Sequence, residues 1–268
     1  MTTARLVMSL SLSLQPKRLR QEGRWKYDMA GVLKSLSWTL LLTVVLLGIP
    51  KSAGNIASVF DYGAIDPDGS FAWLCVHHLV QGAIFWAIML GIRKISPLDF
   101  KLSWGNKKVG WKYVLRFTLI FSIGMIASFL ITLVTKSFQP FPHPLTAKNI
   151  LGYLGFQLFL SGPSEELIFR AFAITMLGLV VRGRAFSGKV SLANIVAAVI
   201  FGLAHVSFSF APFQVSYSPM QVVFSVALGI FYGDCYEKSG SVVYPMIMHS
   251  IGNVLSVSAT ILTTILGQ

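Results

Sequence analysis

YVLRFTLIFSIGMIASFLITLV, residues 113–134, holds one charged side chain, Arg116, near its start. A helix that crosses the hydrocarbon of a bilayer takes roughly 20 apolar residues, and this stretch supplies them. It shows no two-residue alternation, which a barrel strand would need. In lipid every backbone N–H and C=O must be satisfied internally, so the stretch reads as a helix. Six further apolar segments read the same way, at 36–49, 71–92, 150–181, 192–205, 220–236 and 242–266. Composition agrees. Of 268 residues 54% are hydrophobic and 12% charged, against about a quarter charged in a soluble domain. The mean hydropathy is +0.68. The expected fold class is all-α, a polytopic transmembrane helical bundle of about seven to eight membrane helices, and the expected location is an integral multi-pass membrane protein.

The net charge of +12 raises nucleic acid as a partner. The basic residues, however, gather in two blocks, 5–34 and 93–116, each beside an apolar segment. Lys and Arg are retained on cytoplasmic flanks, where they also meet anionic lipid, so the expected partner is the lipid bilayer and not nucleic acid. The 51–70 loop carries Asp61, Asp66 and Asp68, the 93–112 loop is basic again, and Arg182, Arg184 and Lys189 mark the fourth connection. This alternation puts the N-terminus in the cytoplasm. It holds only if 150–181 crosses once, as a long or broken helix, with Gly162-Pro163 as the break. Residues 1–35 read as a basic cytoplasmic tail. A transit peptide has a similar composition, but the run LVMSLSLSL is too short to span. The two cysteines, Cys75 and Cys235, sit in apolar stretches as small hydrophobes. QPFPHP at 139–144 separates N-terminal transmembrane helices, 36–145, from a second half, 146–268, that holds several intramembrane polar groups.

The chemistry concentrates in SGPSEELIFRAF, residues 161–172. Ionised groups inside a membrane segment cost about 2.5–3.5 kcal/mol each on insertion scales and by default mark a functional site. On an α-helix Glu166 and Arg170 share a face, which permits an ion pair, while Glu165 points about 100° away. A carboxylate in a water-poor pocket is suited to take a proton from water and return it. A structural alternative places Gly162 at an N-cap, Pro163 at the first helical position and Glu165 in the first turn, against the helix dipole. Capping accounts for one glutamate, but not for two with an arginine. Two histidine pairs follow, Phe201 with His205 and His249 with Asn253, each four residues apart and each expected on one helix face. Counted at about 1.5 Å per residue from the expected cytoplasmic helix ends, Glu165 lies about 24 Å deep, His205 about 21 Å and His249 about 12 Å. Cys75, His77 and His78 are also close in sequence but lack a partner carboxylate. No HExxH, no GxSxG and no intramembrane aspartate pair is present.

The three motifs, Glu165-Glu166-x-x-x-Arg170, Phe201-x-x-x-His205 and His249-x-x-x-Asn253, resemble those of the CPBP intramembrane proteases, which include the type II CAAX prenyl endopeptidases and the bacteriocin-processing Abi proteins. The resemblance runs from residue 165 to residue 253 and implies that 146–268 is a catalytic core. It implies that Glu165 and His205 activate a water, that His249 and Asn253 stabilise the oxyanion, and that Glu166 and Arg170 support the site. The substrate it implies is a membrane-associated or lipidated protein or peptide. A divalent metal such as zinc is left open: two histidines and a glutamate could ligate it with one open position, or could work without it, and the metal-free version is preferred. Two other readings compete, a non-enzymatic bacteriocin-immunity or regulatory membrane protein and a proton-coupled transporter. Buried Glu, Arg and His also build proton relays, but the chain shows no inverted repeat with matched broken helices.

Overall fold

The computed structural model describes residues 18–21, 24–27, 29–210 and 212–267. Of the basic tail at 1–35, residues 1–17, 22, 23 and 28 lie outside the described residues. Helices dominate: α1 (Met29–Ala57), α2 (Ala72–Ile95), α3 (Lys107–Thr135), α4 (147–177), α5 (Leu192–Leu203), α6 (Pro219–Ser239) and α7 (Val243–Leu266). Each of the apolar segments read from the sequence contains or overlaps one of them. The sheet content of the described residues is three short antiparallel hairpins, β1 (Arg18–Gln21) with β2 (Arg24–Tyr27), β3 (Arg184–Ala185) with β4 (Val190–Ser191), and β5 (Ser207–Phe210) with β6 (Phe213–Ser216). Four helices, α1 from Gly31, α2, α3 and α7, are long and apolar enough to cross a membrane. The all-α bundle is therefore as expected, and these four are the crossings that length and composition support among the described residues.

The break expected at Gly162-Pro163 takes a different form. The chain stays helical from 147 to 177 but changes its winding: Ala147–Phe156 is α, Gln157–Ser161 π, Gly162–Glu166 α, Leu167–Phe172 π and Ala173–Leu177 α. Proline lacks an N–H and clashes with the carbonyl four residues back. The π turn just before Pro163 widens the ladder and relieves both problems without ending the helix. Gly162 is right-handed helical, with φ −55 and ψ −52, so no helix starts here and the capping account of Glu165 is overturned.

The chain divides into two compact units. The first comprises Met1–Ile49, Phe85–Phe100 and Ile168–Asp234. In it α5 packs closely on α6 because the contact is made of small residues. A Cβ added to Gly229 would come to 3.0 Å from the Ala198 Cβ, and one added to Gly233 would overlap the Asn194 amide. The fully buried Asn194 donates from Nδ2 to the Ile230 carbonyl at 3.0 Å, the interhelical bond that replaces apolar contrast inside lipid. Trp38 Nε1 donates to the Met176 carbonyl near the end of α4 at 3.3 Å.

The second unit comprises Pro50–Ile84, Lys101–Leu167 and Cys235–Gln268. Its helices are tied at both ends. At one end the carboxylate of Asp66, 3% exposed, accepts from the backbone N–H of Ser70 (2.9 Å), Phe71 (2.6 Å) and Ala72 (2.7 Å), which satisfies the open donors where α2 begins. Ser70 Oγ reaches Asn149 Oδ1 at 3.2 Å, and Asn149 Nδ2 donates to Asp68 Oδ2 at 2.9 Å, so the starts of α2 and α4 share one polar cluster. At the other end Asn106 N donates to the Ser239 carbonyl at 2.7 Å and Val242 N to the Lys101 carbonyl at 3.0 Å. The starts of α3 and α7 are thereby joined. The backbone N–H of Phe141 donates to Thr264 Oγ1 at 2.7 Å, which returns the last turn of α7 to the segment ahead of α4. Within this unit α3 and α7 therefore run one way and α2 and α4 the other.

Candidate active site

The second unit brings four of the six expected residues together: Glu165, Glu166, His249 and Asn253. His249 Nδ1 donates to Glu166 Oε1 at 2.9 Å. A carboxylate of this kind accepts only, so this bond leaves the other ring nitrogen, Nε2, facing Glu165 Oε2 across 3.8 Å, longer than a hydrogen bond. Glu166 is fully buried and its side chain is 0% exposed, whereas that of Glu165 is 19% exposed. The two adjacent carboxylates thus differ in access: Glu166 holds the histidine, and Glu165 can be reached. One turn further along α7, Asn253 Nδ2 donates to Ser161 Oγ at 3.1 Å. The amide nitrogen has two N–H groups, and the second is available to another acceptor.

These positions depend on close helix approach. A Cβ on Gly162 would lie 2.9 Å from the backbone nitrogen of Ser250 and 3.1 Å from the Cβ of His249, so only glycine lets α4 lie against α7 where His249 can reach Glu166. Counting along helices placed His249 only about half as deep as Glu165. The contact shows that this difference does not separate them.

Arg170 and His205 belong to the first unit. Arg170 is fully buried, with its guanidinium 4.8 Å above the ring of Phe201 and 5.9 Å from that of Tyr232, a cation–π cage of the kind that holds a desolvated cation. It stands in the π segment Leu167–Phe172, where neighbours along a face are about five residues apart rather than four. His205 departs from expectation too: α5 ends at Leu203, and the histidine sits on the turn beyond it. Its Nδ1 donates to the Phe201 carbonyl at 2.9 Å and its ring meets Phe201 edge-on, with centroids 4.9 Å apart at 87°. The Phe201 and His205 pair therefore persists past the helix end, with Nε2 of a neutral ring left as an acceptor.

Residues not picked out for the site stand beside Glu165 within the second unit. His78 Nδ1 lies 2.8 Å from Ser164 Oγ, and Gln81 Nε2 donates to both, at 3.0 Å and 3.2 Å. Ser161 supplies its hydroxyl to Asn253. The available signal was a histidine and a glutamine three apart inside the apolar run of α2. Within this unit no group of three His, Cys, Asp or Glu side chains among the described residues is placed to hold a metal ion, and His249 already commits Nδ1 to Glu166. No step below passes through a metal ion.

Residues 147–255 match the family model described as type II CAAX prenyl endopeptidase, Rce1-like. The match covers all six motif residues and bears out the CPBP resemblance over this part of the chain. The Rce1-like region begins at the first turn of α4 and ends on α7 two residues past Asn253, so it contains every contact made by His249 and Asn253 above. No curated protein and no solved structure matches the chain. Four helices long and apolar enough to cross a membrane support an integral membrane protein, and residues 147–255 are similar to a family of type II CAAX prenyl endopeptidases.

Proposed function

We propose that the chain is an intramembrane endopeptidase that hydrolyses a peptide bond close to the membrane, with a prenylated CAAX-type protein as substrate and residues 146–268 as its catalytic core. The observation that carries this reading is His249 held between Glu166 and Glu165, with Asn253 one turn away, inside the Rce1-like region. Glu165, the more accessible carboxylate, takes a proton from water as the water oxygen attacks the peptide carbonyl carbon. The resulting oxyanion accepts from the second N–H of Asn253, a donor worth most where water is excluded. Collapse of the tetrahedral species breaks the C–N bond, and the proton held at Glu165 passes to the leaving amine. His249 acts beside Asn253 at the oxyanion, and its Nε2 is placed to exchange a proton with Glu165. The motif resemblance assigns His205 to the same water and Arg170 to support of the site.

We further propose that the reaction is metal-independent and that the N-terminus is cytoplasmic, so that a lipidated C-terminus approaches from the cytosolic leaflet. Purified protein in liposomes, offered prenylated CAAX peptides with and without a chelator, tests these together. Cleavage that survives the chelator and is lost in Glu165→Ala is the expected result. Full biological activity in well-folded Glu165→Ala, or solute uptake driven by a pH gradient with no peptide cleaved, would overturn the reading.

A further inference from the structure

The short α segment Gly162–Glu166 carries both glutamates and is bounded on each side by a π turn, Gln157–Ser161 before it and Leu167–Phe172 after it. A continuous α-helix fixes the rotation of every residue through its hydrogen-bond ladder; here the ladder changes pitch four times between residues 156 and 173. The direction in which Glu165 points must then be set by tertiary contacts. In the second unit three such contacts grip the segment: Ser161 by Asn253, Gly162 by the backbone of Ser250, and Ser164 by α2.

The α2 contact is the most polar of the three. His78, Gln81 and Ser164 are 8%, 3% and 8% exposed, and a buried imidazole or amide costs free energy unless its hydrogen bonds are made. They are made with one another. Gln81 Nε2 donates to His78 Nδ1 and to Ser164 Oγ, while the Ser164 hydroxyl has both His78 Nδ1 and the Ser161 carbonyl within 3.2 Å. With Nδ1 as the acceptor, a neutral His78 ring carries its proton on Nε2. Phe156 packs edge-on against the ring, centroids 4.9 Å apart, and fixes its plane. Next to it, His77 Nε2 donates to the Pro50 carbonyl at 3.0 Å, which anchors this turn of α2 in turn. Ser164 immediately precedes Glu165, and Glu165 interacts electrostatically with both imidazoles. A packing contact alone would be met by a leucine; this one adds directional bonds to the residue that aims the candidate base.

We propose that His78 is a positioning residue for Glu165: held by Gln81, it grips Ser164 and sets the rotation of the Gly162–Glu166 turn. The kinetic part rests on the peptidase reading. The test uses the full chain in liposomes, with His78→Ala, Ser164→Ala, the double variant and His78→Asn, whose amide places a polar atom where Nδ1 lies. A displacement of about 1 Å costs on the order of 100-fold in rate, so His78→Ala should lower kcat by roughly 10- to 100-fold with KM little changed. Ser164→Ala should do the same, the double variant should lose no more than the worse single, and His78→Asn should recover most of the loss. Losses that multiply in the double variant, a change confined to KM, or no recovery in a His78→Asn protein of wild-type melting temperature would overturn the proposal.

Carbodiimide labelling of Glu165, read by mass spectrometry, separates this outcome from failure of the peptidase reading, because it needs no turnover. If the wild type cleaves nothing, the function falls, yet a labelling rate that changes in His78→Ala and returns in His78→Asn still supports positioning. An unchanged rate overturns it. Should His78→Ala not fold, Ser164→Ala alone decides, since wild-type kcat and labelling in that variant would also overturn it.

Discussion

At the scale of single residues, the site separates adjacent groups of the same chemistry by what surrounds them. Glu165 and Glu166 are neighbours in sequence, yet one is reachable and the other is sealed against His249. The motif alone could not tell them apart, because access depends on α7, whose residues lie 83 positions further on. On the proposed reading Asn253 donates its second N–H to the oxyanion, and loss of a single such donor costs about 100- to 1,000-fold in kcat. Asn253→Ala is therefore expected to lower kcat by that order with little change in KM, measured by steady-state cleavage of a prenylated peptide. Asp66, read from the sequence only as an acidic mark of loop sidedness, proves to be a helix-start anchor. Burial pushes its carboxyl up, but three backbone N–H groups and the Ser70 hydroxyl together outweigh burial and hold it below its ordinary value of 3.8. A carboxyl lowered in the folded state contributes stability that is complete above that ordinary value and disappears as pH falls through the folded one. Asp66→Asn should thus lower the melting temperature at neutral pH, in line with the loss of about 0.5–2 kcal/mol usual for a helix-start acceptor. In thermal scans the gap from wild type should narrow as pH falls below 3.8 and through the lowered folded-state value.

At the scale of elements, the seven apolar segments were legible because hydropathy and period act over a dozen or more residues, and tertiary contacts cannot reverse so large a sum. The winding of α4 was not legible. Proline announced a break, and the protein answered with a wider turn, a choice made by contacts from α2 and α7 that no local pattern contains. The same blindness hid the end of α5, since Leu203 and His205 both continue an apolar helical run and only the β5–β6 hairpin that follows draws the chain away. Helix approach at Gly162 carries a direct expectation. Gly162→Ala brings a methyl within 3 Å of the Ser250 backbone, and overfilling a packed contact costs about 1–3 kcal/mol. The variant should unfold earlier in a detergent melt, and His249 should lose its bond to Glu166, visible as a changed imidazole shift in nuclear magnetic resonance.

At the scale of the molecule, the second unit sorts its connections onto two sides. The 58–71 segment meets the start of α4, while the 96–106 segment meets the start of α7. Single cysteines placed at Ser58 and Ser137 should react with a membrane-impermeant thiol reagent from one face of sealed vesicles, and one at Trp104 from the opposite face. Labelling of Ser58→Cys and Trp104→Cys from the same face would contradict the antiparallel arrangement. The pairing of Glu166 with His249 also has a consequence in time. A ribosome adding about 5–20 residues per second makes the glutamates of α4 several seconds before the histidine and asparagine of α7 exist. Through that interval the nascent chain carries Glu165 and Glu166 without the His249 ring that faces both and without Asn253. On the proposed peptidase reading, chains stalled at residue 240 should insert α1 to α3 and yet cleave nothing, activity appearing only once α7 has entered the bilayer.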